Sequence, residues 1–167
     1  MAPRLSPGDE WLESALLSTT TRVLSHYPEL RSDAFEVRLS DARRVAGYFR
    51  AFGDPKRRPV IYITRRTVRG DPISLGKTLA HELGHLLQSV DRRWPDGERA
   101  CDLIWLARCG AEFPRPPFYL NVGAARKEWP IYALSAQALA REAWERRAQG
   151  HRNYISWWER RIQQEAA

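Results

Sequence analysis

Two histidines and a glutamate fall within five consecutive residues, His81-Glu82-Leu83-Gly84-His85. On a helix, residues four apart project from the same face one turn from each other, so both imidazoles could bind one Zn²⁺. Glu82 would lie beside the metal, where its carboxylate could take a proton from water that zinc has acidified. The pattern therefore predicts a zinc-dependent hydrolase with His81 and His85 as metal ligands and Glu82 as the catalytic base.

A catalytic zinc usually has a third protein ligand, and the candidates lie early in the next predicted helix. Glu98 and Asp102 are four residues apart and share a helix face, so one can bind the metal while the other accepts a hydrogen bond from a ligand imidazole. We prefer Glu98 as the ligand. Asp102 is the alternative, because a tight helical hairpin would bring it level with the histidines, and Cys101 is a further candidate.

The motif requires a helix, and the surrounding sequence has the pattern of one. Asp71 can cap the N-terminus and Pro72 suits the first helical position. Leucines recur every three or four residues after Pro72 and the apolar stripe extends to Val90, which is typical of a helix with one packed face. After a turn at 91–97, a second helix is predicted from about Glu98 to Cys109.

The remaining elements predict an α+β fold. An amphipathic helix is expected over about 9–26, strands at 35–39, 45–52 and 59–64, a loop at 65–70, a proline-containing loop at 113–130, and helices at about 132–149 and 153–165. The architecture is thus an N-terminal helix, a small, mostly antiparallel sheet, the metal helix, the ligand helix and a C-terminal helical pair. The 167 residues fit one domain, 1–167, with a core at about 9–110 and a C-terminal helical extension at about 131–165.

The chain is basic, with a formal net charge of +7 and a pI of about 9.9. Arginine pairs such as Arg43-Arg44 and Arg57-Arg58 are spread along the chain without forming a run, so the sequence does not show whether they converge in space. A solvated basic surface is the simpler interpretation, and a nucleic-acid partner is the alternative. No stretch approaches the roughly 20 apolar residues of a membrane helix, so no membrane association is expected.

The two cysteines, Cys101 and Cys109, are eight residues apart in one predicted helix. That spacing corresponds to about 12 Å along the helix axis, too far for a disulfide, whose Cα atoms are roughly 4.4–6.8 Å apart. Residues 1–18 lack a basic segment followed by an apolar one, so no secretory signal is expected. Reduced thiols and the missing signal together predict a cytoplasmic protein.

The motif at 81–85 resembles that of the zincin metallopeptidases. The segment Glu98–Asp102 is similar to the glutamate helix of gluzincins, where a ligand glutamate is followed four residues later by a supporting aspartate. A helix, a small sheet and then the metal helix, over about residues 9–110, resemble the minimal zincins of the SprT-like and ImmA/IrrE-like kind. The resemblance implies hydrolysis of a peptide or protein substrate, in which Glu82 activates the water on zinc and passes its proton to the leaving amine.

The alternative function is a non-catalytic or regulatory zincin-like module that acts at nucleic acid or DNA-bound proteins. The basic charge and the small size of the chain motivate it. A peptidase would also need a donor that stabilises the oxyanion of the reaction. Tyr119, His151 and Tyr154 are candidates, although a structural role is the simpler interpretation of each.

Overall fold

The computed structural model of the protein describes residues 10–51 and 57–167. Asp9 and Phe52, the predicted ends of a helix and a strand, lie outside the described residues. The chain divides into two compact units, Met1–Leu86 and Leu87–Ala167. The expectation of one domain over 1–167 stays a prediction.

The first unit combines helices with a small sheet, so the predicted α+β class is confirmed. Its first helix is buried along a stripe at Leu12, Leu16, Thr20 and Val23, which is the three-to-four-residue periodicity expected of an amphipathic helix. In chain order the elements are α1 (Glu10–Leu24), β1 (Glu36–Ser40), β2 (Gly47–Arg50), β3 (Val60–Thr64), α2 (Arg65–Arg69) and α3 (Pro72–Val90), the last of which continues into the second unit.

The sheet is mixed, with β3 between the other two strands in the order β1-β3-β2. The β2–β3 pair is antiparallel, whereas β1 and β3 run parallel, so the sheet is not mostly antiparallel as expected. Residues 41–59 separate β1 from β3, which is long enough for the crossover connection that a parallel pair needs. The central strand carries Ile61 and Ile63 with no exposed surface, which makes it the core of the sheet.

The segment 65–70, predicted as a loop, begins with the short helix α2, so that prediction is wrong. Thr64 ends β3 and caps the helix, because its hydroxyl accepts a hydrogen bond from the Thr67 amide at 3.2 Å. The Thr67 hydroxyl also donates to the Ala46 carbonyl at 2.9 Å, which ties α2 to the chain entering β2. A threonine cap favours a helical turn where composition alone indicated irregular structure.

Helix α3 begins where the sequence predicted. The Asp71 carboxylate accepts a hydrogen bond from the Ser74 amide at 3.0 Å, as an N-cap should, and Pro72 is the first helical residue. The helix ends at Val90, the predicted end of the apolar stripe. A single helix of 19 residues therefore carries the whole histidine motif.

The second unit is helical. Its elements are α4 (Glu98–Cys109), a 3₁₀ helix (Gly123–Arg126), α5 (Trp129–Ala148) and α6 (Tyr154–Glu165). Helices α4 and α6 match their predicted positions, whereas α5 starts three residues before the predicted 132 because Pro130 occupies an early helical position. Gly150, with φ of 93°, lies in the break between α5 and α6, where a left-handed conformation favours glycine.

Buried tryptophans and polar side chains pack the helices of this unit against one another. Trp105, Trp129 and Trp158 have at most 1% of their surface exposed. The Gln137 amide donates to the Arg108 carbonyl at 3.1 Å and its oxygen accepts from the Ala111 amide at 3.0 Å, so α5 satisfies backbone groups at the C-terminus of α4. These contacts give α4 a fixed position within its unit.

Candidate metal centre

Helix α3 is buried around almost its whole circumference over residues 75–88, with His85 as the half-buried exception. The leucines of the predicted stripe are packed, as Leu79 and Leu83 show with no exposed surface, but Val90 at its end is 58% exposed. The face that carries the histidines is therefore covered as well, and the motif lies in a recessed position rather than on an open surface.

His81 and His85 lie side by side on α3. Their ring centroids are 4.8 Å apart and the rings are nearly perpendicular, at 86°. Two nitrogens bound to one tetrahedral zinc at about 2.1 Å each are themselves about 3.4 Å apart, a separation that two rings at this distance can reach. His81 is only 5% exposed, whereas His85 is half-buried. Solvent can therefore reach the pair from the side of His85.

Glu82 is 6% exposed and thus nearly as buried as His81. A carboxylate in such a position is costly unless cations or hydrogen-bond donors compensate its charge. In a recessed site its electrostatic interactions are stronger than they would be in water. These are suitable surroundings for a base that must act on one water molecule.

A tyrosine after α1 anchors α3 beside the motif. The Tyr27 hydroxyl donates a hydrogen bond to the Ala80 carbonyl at 2.6 Å, and the Tyr27 side chain has no exposed surface. Ala80 directly precedes His81, so this contact fixes the helix at the turn that carries the first histidine. A buried hydrogen bond of this kind favours one position of the helix over others.

Glu98, the preferred third ligand, is the first residue of α4 and is exposed. The residue before it, Gly97, has φ of 101° and provides no side-chain cap, so a carboxylate in the first turn is favourable with the helix dipole. Its side chain extends from the end of a well-packed helix.

Asp102 has a different environment, with no exposed surface. One of its carboxylate oxygens accepts from the Trp105 indole N–H at 2.9 Å and the other accepts from the Tyr119 amide at 2.6 Å. Both oxygens are therefore engaged within the second unit, where Asp102 connects α4 to the loop before the 3₁₀ helix. Such a carboxylate is better suited to supporting a site than to binding a metal directly.

No protein-family model, curated protein or solved structure matches the chain. The chemistry of the site therefore follows from its own side chains. Within the part of the chain that the structure describes, there is no helix with both the length and the apolar character required to cross a bilayer.

Neither of the two cysteines forms a disulfide, and both are buried in α4. The Cys109 thiol donates to the Trp105 carbonyl at 3.6 Å, a contact within the helix that suits a packed, structural cysteine. Cys101 precedes Asp102 and has no exposed surface. As a soft donor, its thiolate is a potential zinc ligand.

The three candidates for oxyanion stabilisation lie in the second unit, Tyr119 before the 3₁₀ helix and His151 and Tyr154 around the start of α6. The Tyr119 side chain is 51% exposed and His151 is also exposed. Tyr154 is buried at the start of α6, where its ring packs against Trp144, and burial raises the pKa of its hydroxyl. The surroundings of Tyr154 indicate the structural role that the sequence favoured, and the roles of the other two stay predictions.

Lys77 is a charged residue near the motif that the sequence analysis did not single out. It is only 5% exposed and lies four residues before His81, on the same helix face one turn earlier. Its four-residue spacing from His81 was the available signal in the sequence.

Proposed function

We propose that the chain is a zinc-dependent metallopeptidase that hydrolyses bonds in a peptide or protein substrate, with Glu82 as general base. The observation that carries the proposal is the His81–His85 pair, whose ring centroids are 4.8 Å apart on a helix that also buries Glu82. Two adjacent imidazoles and a neighbouring carboxylate in a recess are the parts that metal-assisted hydrolysis requires. The resemblance of this motif to that of the zincins supports the same activity.

The available donors suit zinc. His81 and His85 provide two nitrogen ligands, and helix α4 provides candidates for the third. We retain Glu98, because two histidines and a glutamate are a common donor set of zinc hydrolases. Asp102 and Cys101 remain the alternatives, and a thiolate is a donor that zinc readily accepts.

In the proposed reaction, bound zinc supplies the Lewis acidity that polarises the scissile carbonyl and acidifies water. Glu82 takes the proton of the attacking water and then delivers it to the leaving amine nitrogen. The burial of Glu82 keeps bulk water away from this carboxylate, so the proton it holds is passed to the substrate rather than to solvent.

We also propose that the protein works in a reducing compartment, the cytoplasm. Neither cysteine forms a disulfide, and both are buried on the same helix, at positions that cannot bridge each other.

The test is to measure zinc content and cleavage of an unfolded casein-type substrate in parallel. Glu82→Gln keeps the size of the side chain and removes the base, so it should retain zinc while turnover falls by at least about a hundredfold, the usual contribution of a general base. His151→Ala is the matched control for histidine removal, because His151 is exposed and far along the chain. It should keep its zinc.

Two results would overturn the proposal. One is a protein that binds no zinc when refolded with the metal in excess. The other is a Glu82→Gln variant that cleaves the substrate as fast as the wild type. A zinc-loaded protein that cleaves no substrate would favour a regulatory zincin-like module over an enzyme.

A further inference from the structure

One face of the small sheet carries polar and aromatic side chains that the peptidase proposal does not use. The strand register aligns Arg38, Tyr62 and Tyr48 in one row across β1, β3 and β2. The next row on the same face holds Glu36, Val60 and Arg50. Because alternate residues of a strand face the same way, these six side chains share one surface.

The opposite face of the sheet packs against α3. A Cβ added at Gly47 would lie 2.8 Å from the Ile63 Cδ1 atom and 3.0 Å from the Thr78 Cγ2 atom, so strand and helix are in close contact on that side. Ile61 and Ile63 have no exposed surface. The sheet therefore has an apolar, covered face, and on its other face Arg38, Tyr48 and Arg50 are exposed around the buried Val60.

Two tyrosines form a stacked pair on the exposed face. The Tyr48 and Tyr62 rings are nearly parallel, at 15°, with centroids 4.7 Å apart. Tyr48 is on an edge strand and is 36% exposed. Such a pair stabilises the two strands, and it also presents an aromatic platform at the rim of the sheet.

A cavity of about 380 Å³ lies beside this platform, and it is strongly basic. Its lining is Arg38, Arg50, Arg57, Arg58, Glu36, Val60 and Tyr62. Among the described residues that line the cavity, four are arginines and one, Glu36, is a carboxylate, which pairs with Arg38. The positive charge of this lining favours a ligand with closely spaced negative charges.

We propose that this face binds single-stranded nucleic acid, with phosphates in the arginine-lined cavity and a base stacked on Tyr48. Guanidinium groups match phosphate oxygens in geometry and charge. Bases that are unpaired can stack on aromatic side chains of a sheet, which duplex bases cannot do. An acidic peptide would satisfy the arginines but would make no use of the tyrosine pair.

The proposal rests on the sheet of the first unit alone and is independent of the metal. Binding of a short, fluorescently labelled oligothymidine or oligouridine to the full chain would be followed by anisotropy across a salt series. Arg50→Gln combined with Arg58→Gln should weaken binding and reduce the slope of log affinity against log salt by about 1.4, since each phosphate contact on a single strand contributes about 0.7. Tyr48→Ala should weaken binding roughly five- to 150-fold.

Matched variants distinguish binding at this surface from a general effect of the positive charge of the protein. Arg160→Gln combined with Arg161→Gln removes the same charge from exposed positions of α6 and should leave the salt slope unchanged. Tyr48→Phe keeps the ring and should bind as the wild type does. Thermal unfolding of each variant checks that the sheet is intact.

The proposal would be overturned by the absence of saturable binding at low salt. It would also be overturned if both arginine double variants lost affinity equally, or if Tyr48→Ala bound as tightly as wild type. Duplex DNA or polyglutamate that competes as well as the unlabelled oligonucleotide would assign the surface to another class of anion and exclude the base-stacking platform.

Discussion

Asp102 offers the sharpest test of how helix α4 is held in its unit. Its buried carboxylate accepts hydrogen bonds from the Trp105 indole at 2.9 Å and from the Tyr119 amide at 2.6 Å. A hydrogen bond to a charged group contributes about 1.5–3 kcal/mol, so Asp102→Ala should lower the free energy of unfolding by about 3–6 kcal/mol. Asp102→Asn keeps one acceptor oxygen and should lose about half as much. Urea denaturation followed by tryptophan fluorescence measures both.

Glu98→Ala is the control, because it removes a carboxylate from the same helix at an exposed position. All three variants are compared in the metal-free protein, so that the loss of a proposed zinc ligand does not affect the result. Its loss should be at most about 1 kcal/mol, the contribution of a first-turn charge to the helix dipole. If Asp102→Ala cost less than 1 kcal/mol, or no more than Glu98→Ala, the two hydrogen bonds would not support α4 in the way that we describe.

Three further predictions concern packing, pH and the third ligand. Gly47→Ala should destabilise the protein by about 1–3 kcal/mol in urea denaturation, since the new Cβ would lie 2.8 Å from Ile63; a neutral result would contradict this packing. Burial raises the pKa of Tyr154 above its ordinary value of 10.0, so folding favours the neutral phenol. Stability should therefore fall as the pH rises above about 10, and Tyr154→Phe should remove this fall, as thermal melts at increasing pH would show. Glu98→Gln should weaken zinc binding at least about tenfold whereas Cys101→Ser should not; a cobalt-substituted protein whose thiolate charge-transfer band disappears in Cys101→Ser would instead make Cys101 the ligand.

The sequence was sufficient to predict the helices around the motif because their signals are local. Asp71 and Pro72 mark the start of α3, and the leucine periodicity gives its length. The adjacency of His81 and His85 follows from helical geometry alone, and the ring contact agrees with it. The α2 helix was missed because it depends on a threonine cap, which composition does not reveal.

The features that the sequence could not provide depend on contacts between distant residues. Strands β1 and β3 pair in parallel although residues 41–59 separate them in the chain. The residue pattern of a strand does not show which other strand it pairs with. The arginines at 38, 50, 57 and 58 line one cavity although they are dispersed in the chain. The contacts of Asp102 are of both kinds. Its contact with Trp105 follows from helical spacing, whereas its contact with the Tyr119 amide depends on the fold of the following loop.

The central claim is that His81 and His85 bind one zinc ion, and elemental analysis of the purified protein tests it most directly. The wild type and His151→Ala, refolded with zinc and then dialysed, should each hold one zinc per chain. His81→Ala combined with His85→Ala should hold none while remaining folded by circular dichroism. Equal zinc in the double variant and the wild type, or none in either, would contradict the assignment of the metal to this helix.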